Sequence, residues 1–193
     1  RIEQEFVVDP DIRNACAESG LGIIYFSPHL SATFHYWEEG NDDEERFLKV
    51  LNDCGAVSGH PEISRIPWIT MGHSTAGIFC RNVAYLWPER TAGVIHIKSG
   101  NLFVKNHMPE GLSLAGIPFV AMNGQFEVYG PEGGIRPEYG RQTQRFMIQK
   151  DMQALRSRDE DHLMSLMIQP GADHFNSAPD FAAYAALFIR KTA

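Results

Sequence analysis

Short, nearly continuous apolar runs alternate along this chain with stretches whose apolar residues recur at helical spacing. Residues 21–26, Leu-Gly-Ile-Ile-Tyr-Phe, are rich in β-formers and stop at Ser27-Pro28, which predicts a buried strand. Further strands are predicted at about 66–71, 94–97, 117–122 and 162–168. Helices are predicted between them. One covers 9–19 and stops at Gly20. Another starts at Asp42, which with Glu45 resembles a capping box, and turns Phe47, Leu48, Leu51 and Cys54 to one face. Two more cover about 76–85 and 142–156. The last covers 178–191, with Phe181, Tyr184, Ala185 and Phe188 on its buried side. Apolar strands separated by amphipathic helices imply an α/β fold, a mostly parallel sheet with helices on both faces. Ligands in such sheets bind beyond the carboxyl ends of the strands. There is no internal repeat and no domain-scale linker, so residues 1–193 are read as a single domain.

Composition narrows the function classes. The chain is 44% hydrophobic and 21% charged, ordinary values for a globular domain. A formal net charge of −7 argues against nucleic acid or an anionic membrane surface as partner. No apolar run is long enough for a membrane span. Cys16, Cys54 and Cys80 have no metal-ligand spacing and read as small hydrophobes. No metal or organic cofactor is implied. The first residue is Arg1 rather than methionine, which leaves the compartment open.

The candidate chemistry begins where the strand at 66–71 ends, in Gly72-His73-Ser74-Thr75-Ala76-Gly77, followed by a helix. Strand, tight turn with serine at its apex, then helix is the grammar of a nucleophile elbow. Residues two before and two after the serine must be small, and Gly72 and Ala76 meet that need. The helix N-terminus then points at the Ser74 hydroxyl, and the Thr75 N–H becomes an oxyanion donor. A plain Gly/Ser turn ahead of an ordinary helix is the competing reading.

A serine hydroxyl needs a base, and the base needs a partner that holds its tautomer. Gln169-Pro170-Gly171-Ala172-Asp173-His174-Phe175 follows the last strand, and Asn123-Gly124-Gln125-Phe126-Glu127 follows the one before it. Of the eight histidines, His174 alone follows a final strand in a glycine-containing loop. His96 lies inside a strand and reads as a core residue. His73 precedes the serine, so its side chain should diverge from that of Ser74 while shaping the pocket. Glu127 is the favoured acid, against Asp173, Glu132 and Glu138; Asp173 is adjacent to His174, and adjacent side chains diverge.

With these residues in place the chain resembles the α/β-hydrolase superfamily, and within it bacterial esterases of the dienelactone-hydrolase and carbohydrate-esterase type. The resemblance rests on Ser58-Gly59-His60-Pro61-Glu62, Gly72-His73-Ser74-Thr75-Ala76-Gly77, Gly124-Gln125-Phe126-Glu127 and Gly171-Ala172-Asp173-His174-Phe175. The order Ser74, Glu127, His174 is the superfamily's order. Glu stands where Asp is commoner. The resemblance implies a serine hydrolase that cleaves a carboxylic ester, on a small molecule or linked to a carbohydrate. Acyl transfer, peptidase action or a non-catalytic binding or assembly module on the same fold are the alternatives.

Two expectations concern the surroundings. The aromatic loop with Tyr36 and Trp37 should overhang the catalytic edge, and the Gly/Pro-rich loop at 130–140 should bring Arg136 and Tyr139 to the substrate entrance. The competing reading makes the aromatics plain core against the helix at 42–54. The resemblance also implies a strand ahead of the helix at 9–19, whose loop supplies a second oxyanion donor. Residues 1–8 are too few for it, so a further segment or a partner chain is expected to complete the sheet. One lost donor costs roughly 2.7–4 kcal/mol of transition-state stabilisation, so these residues alone should be weakly active.

Overall fold

The computed structural model describes residues 2–25, 34–99, 113–126, 144–158, 160–176 and 179–193. Among them four strands form one all-parallel sheet: β1 (Trp68–His73), β2 (Thr91–Ile97), β3 (Phe119–Gly124) and β4 (Met164–Gln169), side by side in chain order. The helices are α1 (Ile2–Val8), α2 (Pro10–Glu18), α3 (Asp43–Ser58), α4 (Thr75–Leu86), α5 (Gln144–Arg158) and α6 (Pro179–Thr192).

Side-chain alternation sorts the sheet into two faces. Ile95, Ile97, Val120 and Met122 turn toward α1, α2 and α6, where they meet Phe6, Ile12, Ala15, Phe181, Ala185 and Ile189. Val94, Phe119, Ala121 and Met164 turn the other way, onto Cys80, Ala84 and Tyr85 of α4 and Ile148 and Leu155 of α5. Both faces are covered, which is why β2 and β3 are apolar almost throughout. A third cluster joins Phe34, Phe47, Leu51, Phe79 and Val83 with Trp68 and Trp87 at the side of α3.

Three sequence expectations change. Residues 21–25 form no strand, and Ile23, Ile24 and Tyr25 are 42%, 39% and 43% exposed. A strand exists only through a paired neighbour, and among the described residues none lies beside this run. The sheet therefore has four described strands rather than five. Residues 2–8 are a helix, packed through Phe6 on Phe181 with ring centroids 5.8 Å apart, and add no strand to the outer edge of β1.

The capping box at Asp42 is not formed. Asp42 makes no cap bond, because its carboxylate pairs with Arg46 at 2.8 Å. Asn41 accepts from the Asp43 N–H instead, at 2.8 Å. Buried Asp43 in turn accepts from the His35 N–H and the Asn41 side chain, tying the aromatic loop to α3. On α6, Tyr184 faces outward, and Ala182, Ala186 and Ile189 join Phe181 and Ala185 inside.

Candidate active site

Ser74 sits between β1 and α4 with φ 55° and ψ −121°, a left-handed strain that a serine tolerates only where its surroundings impose it. Two contacts impose it. The Ser74 N–H donates to the Ile97 carbonyl of β2 at 2.9 Å, and its own carbonyl accepts from the Gly77 N–H at 3.0 Å. The turn is tight enough that a Cβ on Gly72 would collide with the Ala76 carbonyl, and one on Gly77 would lie 2.5 Å from Ser99 Cβ. Serine at a helix N-cap ordinarily accepts a backbone N–H with its hydroxyl. Ser74 makes no such bond. Its Oγ lies 3.0 Å from His174 Nε2 instead.

That contact joins groups 100 residues apart. The loop after β4 brings His174 in, and its shape comes from its own polar residues. Asp173 Oδ1 accepts from the Phe175 and Asn176 N–H groups at 2.8 and 3.1 Å, and Asn176 Oδ1 accepts from the Asp173 N–H at 2.8 Å. Asp173 thus turns its carboxylate to its own main chain. The loop is fastened to the sheet by the Phe126 N–H donating to the Ala172 carbonyl at 2.8 Å and the Gly171 N–H donating to Gln125 Oε1 at 2.9 Å. Gly124 permits this approach, since a Cβ there would lie 2.5 Å from the Ala172 oxygen.

The residues expected at the site fall into three groups. Ser74, His73 and His174 come together. His73 does not face the Ser74 hydroxyl; its Nε2 donates to the His174 carbonyl at 2.8 Å, and the two imidazole centroids are 4.9 Å apart. Thr75 is the first residue of α4, where an N–H has no intrahelical acceptor. Tyr36 packs against both the α4–α5 layer and the α3 cluster, 5.9 Å from the Phe34 ring, and Trp37 rests edge-on against it at 5.1 Å. Glu127, Arg136 and Tyr139 lie outside the described residues.

Lys98 was not anticipated. It follows β2 with φ 45°, is 1% exposed, and donates through Nζ to the Asn176 carbonyl. A lone lysine closing an apolar strand was the signal that sequence reading could have used.

Behind the site, on the α4 side of the sheet, burial controls the charges. His96, register partner of Gly72 and Ala121, is pushed down to about 3 by burial and secondarily by the Arg81 charge, so it stays neutral. Arg81 is lowered to about 10 by its own burial. Tyr36 and Tyr85 are raised to about 12, and Cys80, whose sulfur lies under the elbow, also to about 12, each chiefly by burial. Among the described residues no His/Cys/Asp/Glu group could hold a metal ion, and no helix is long and apolar enough to cross a membrane.

The architecture matches solved structures. The siderophore hydrolase EstA from Aspergillus nidulans is similar over 94% of this chain and 76% of its own, with a TM-score of 0.53 and 14% identity. The esterase PE8 is similar over 78% of this chain and 60% of its own, with a TM-score of 0.51 and 15% identity. The chain thus spans about 60% of the length of that esterase. No family model matches the chain, and no curated protein does. At such identities the likeness shows the fold, which is that of the α/β-hydrolases.

Proposed function

We propose that the chain is a serine hydrolase that cleaves a carboxylic ester on a small molecule or a carbohydrate. The observation that carries this reading is the 3.0 Å approach of His174 Nε2 to a Ser74 Oγ that is strained and not engaged in capping. With Nε2 as acceptor, the imidazole proton sits on Nδ1, where Glu127 is the proposed partner. His174 takes the hydroxyl proton as Ser74 Oγ attacks the carbonyl carbon. The tetrahedral oxyanion meets the Thr75 N–H and the positive end of α4. Collapse breaks the bond to the alkoxide, which takes the proton from His174 and leaves as the alcohol. Water, deprotonated by the same imidazole, then releases the acid and regenerates Ser74. Tyr36, Trp37, Arg136 and Tyr139 are the proposed substrate contacts; His73, buried and bonded to the His174 carbonyl, shapes the pocket from behind. The outer edge of β1 carries no strand among the described residues. A second oxyanion donor is proposed to come from a segment or partner chain covering it.

A fluorophosphonate probe tests the reading. The wild-type chain should take up the label at Ser74, located by peptide mass, and Ser74→Ala should lose both label and ester hydrolysis, with kcat down by about 10³-fold or more. Equal labelling of the two proteins would overturn the Ser74 assignment, and a wild type with neither label nor hydrolysis would favour a non-catalytic module.

A further inference from the structure

The loop that carries His174 is internally stiff. Asp173 and Asn176 exchange side-chain and main-chain bonds across it, so residues 173–176 move as one piece. The position of the imidazole then depends on where that piece is anchored. Among the described residues, two side chains reach it from neighbouring strand ends. His73 closes β1 and pairs in register with Ile97; Lys98 is the next residue after Ile97. His73 Nε2 donates to the His174 carbonyl at 2.8 Å, and Lys98 Nζ donates to the Asn176 carbonyl, two residues further on.

We propose that His73 and Lys98 are positioning residues for His174, fixing its loop through these two main-chain carbonyls. The inference rests on the reading of His174 as the base. The environments of both residues support it. A buried ammonium is unfavourable unless its hydrogen bonds are met. Packing alone would be served by a methionine of similar length. Lys98, 1% exposed, instead directs its charge to the Asn176 carbonyl, with the Phe181 ring of the first turn of α6 5.6 Å away. Its φ of 45° is a strained value for a non-glycine residue, and it aims the side chain across the end of the sheet. His73, 6% exposed, lays its ring beside that of His174. The pair ties the base to the strands on which the Ser74 elbow rests, since the Ser74 N–H itself is bonded to Ile97. Nucleophile and base therefore share one rigid reference.

The test separates positioning from plain structural support. In His73→Phe, which keeps an aromatic ring beside His174, and in Lys98→Met, which keeps the stem, kcat on p-nitrophenyl acetate should fall about 10- to 100-fold, the range for ångström-scale misplacement, with KM within about twofold. His73→Gln, whose amide nitrogen can occupy the place of Nε2, should recover most of the loss. The His174 Cε1–H signal in ¹H–¹³C NMR, identified by its absence in His174→Asn, should be single in the wild type and broadened or doubled in His73→Phe and Lys98→Met. Wild-type kcat in both variants, no recovery in His73→Gln, or an unchanged His174 signal would overturn the proposal. Should Lys98→Met fail to fold, the His73 pair decides. If the wild type neither hydrolyses ester nor takes the fluorophosphonate label, the hydrolase reading falls, while the NMR signal still decides whether the two side chains fix His174.

Discussion

Ser74 and His174 meet at 3.0 Å, yet the two are held by opposite means. The serine is held mostly by its neighbours in sequence, small residues at 72, 76 and 77 and a strained backbone, with one main-chain bond to Ile97 of the adjacent strand. The histidine is held by groups remote in sequence, with His73 and Lys98 lying 101 and 78 residues from the carbonyls they bind. The tight turn at Ser74 is largely local geometry, legible in a hexapeptide. The position of His174 is a property of the folded sheet. Changes near Ser74 should act through space and strain, and changes near His174 through lost tethers.

The largest expected effect comes from the elbow. Gly72→Ala puts a methyl into the Ala76 carbonyl and 2.9 Å from the Cys80 sulfur, with the turn unable to retreat because the Ser74 N–H is tied to Ile97. Loss of more than about 4 kcal/mol in urea unfolding is expected, or no folded protein. A loss below about 1 kcal/mol would show that the elbow yields, and the contrast would fail.

Next comes acid. His96 lies beside Gly72 in register, and neither ring nitrogen has a hydrogen-bond partner among the described residues. Its folded value near 3 lies below its ordinary 6.5, so between these values the unfolded chain binds the extra proton. Its contribution is therefore fully present above pH 6.5 and is lost as pH falls toward 3, with a slope approaching about 1.4 kcal/mol per pH unit. His96→Leu should remove that part of the acid sensitivity, read from urea midpoints at pH 7 and pH 5. An identical drop in both proteins would sink this account.

The smallest effect is expected at Asp173. Asp173→Ala removes an exposed acceptor of two loop N–H groups, for about 1 kcal/mol of stability and a kcat loss smaller than about tenfold. A loss as deep as that of Ser74→Ala would instead make Asp173 the acid partner of His174.

The same contrast decides what could be read from the sequence. The four strands, their parallel sense and the elbow follow from short-range pattern: Val94, Ile95 and Ile97, or Phe119 to Met122, read as two-sided buried strands. His174 was legible because a glycine-containing loop after the last strand is the place for it. The task of His73 was not, since it depends on which carbonyl the fold carries past its ring. Lys98 left one signal, a lone lysine closing an apolar strand, that was outweighed because a lysine at a strand end ordinarily faces water. The run at 21–25 has β-forming residues and no paired strand among the described residues, and composition cannot supply a pairing partner. At α3, Asp42 and Asn41 both suit a cap, and Arg46, one turn on, drew Asp42 away.

The described strands stand side by side in the order in which they occur in the chain. That arrangement has a consequence in time. During synthesis, each new strand emerges to find its partner already in place, so the sheet can grow outward from β1 without waiting for a distant segment. The turn at Ser74 is completed early, against β2. His174 arrives with β4, after a loop closure spanning 100 residues, the slow kind of contact. The serine's turn forms first and its histidine contact last, so the growing chain holds Ser74 without its imidazole neighbour until the loop after β4 has folded.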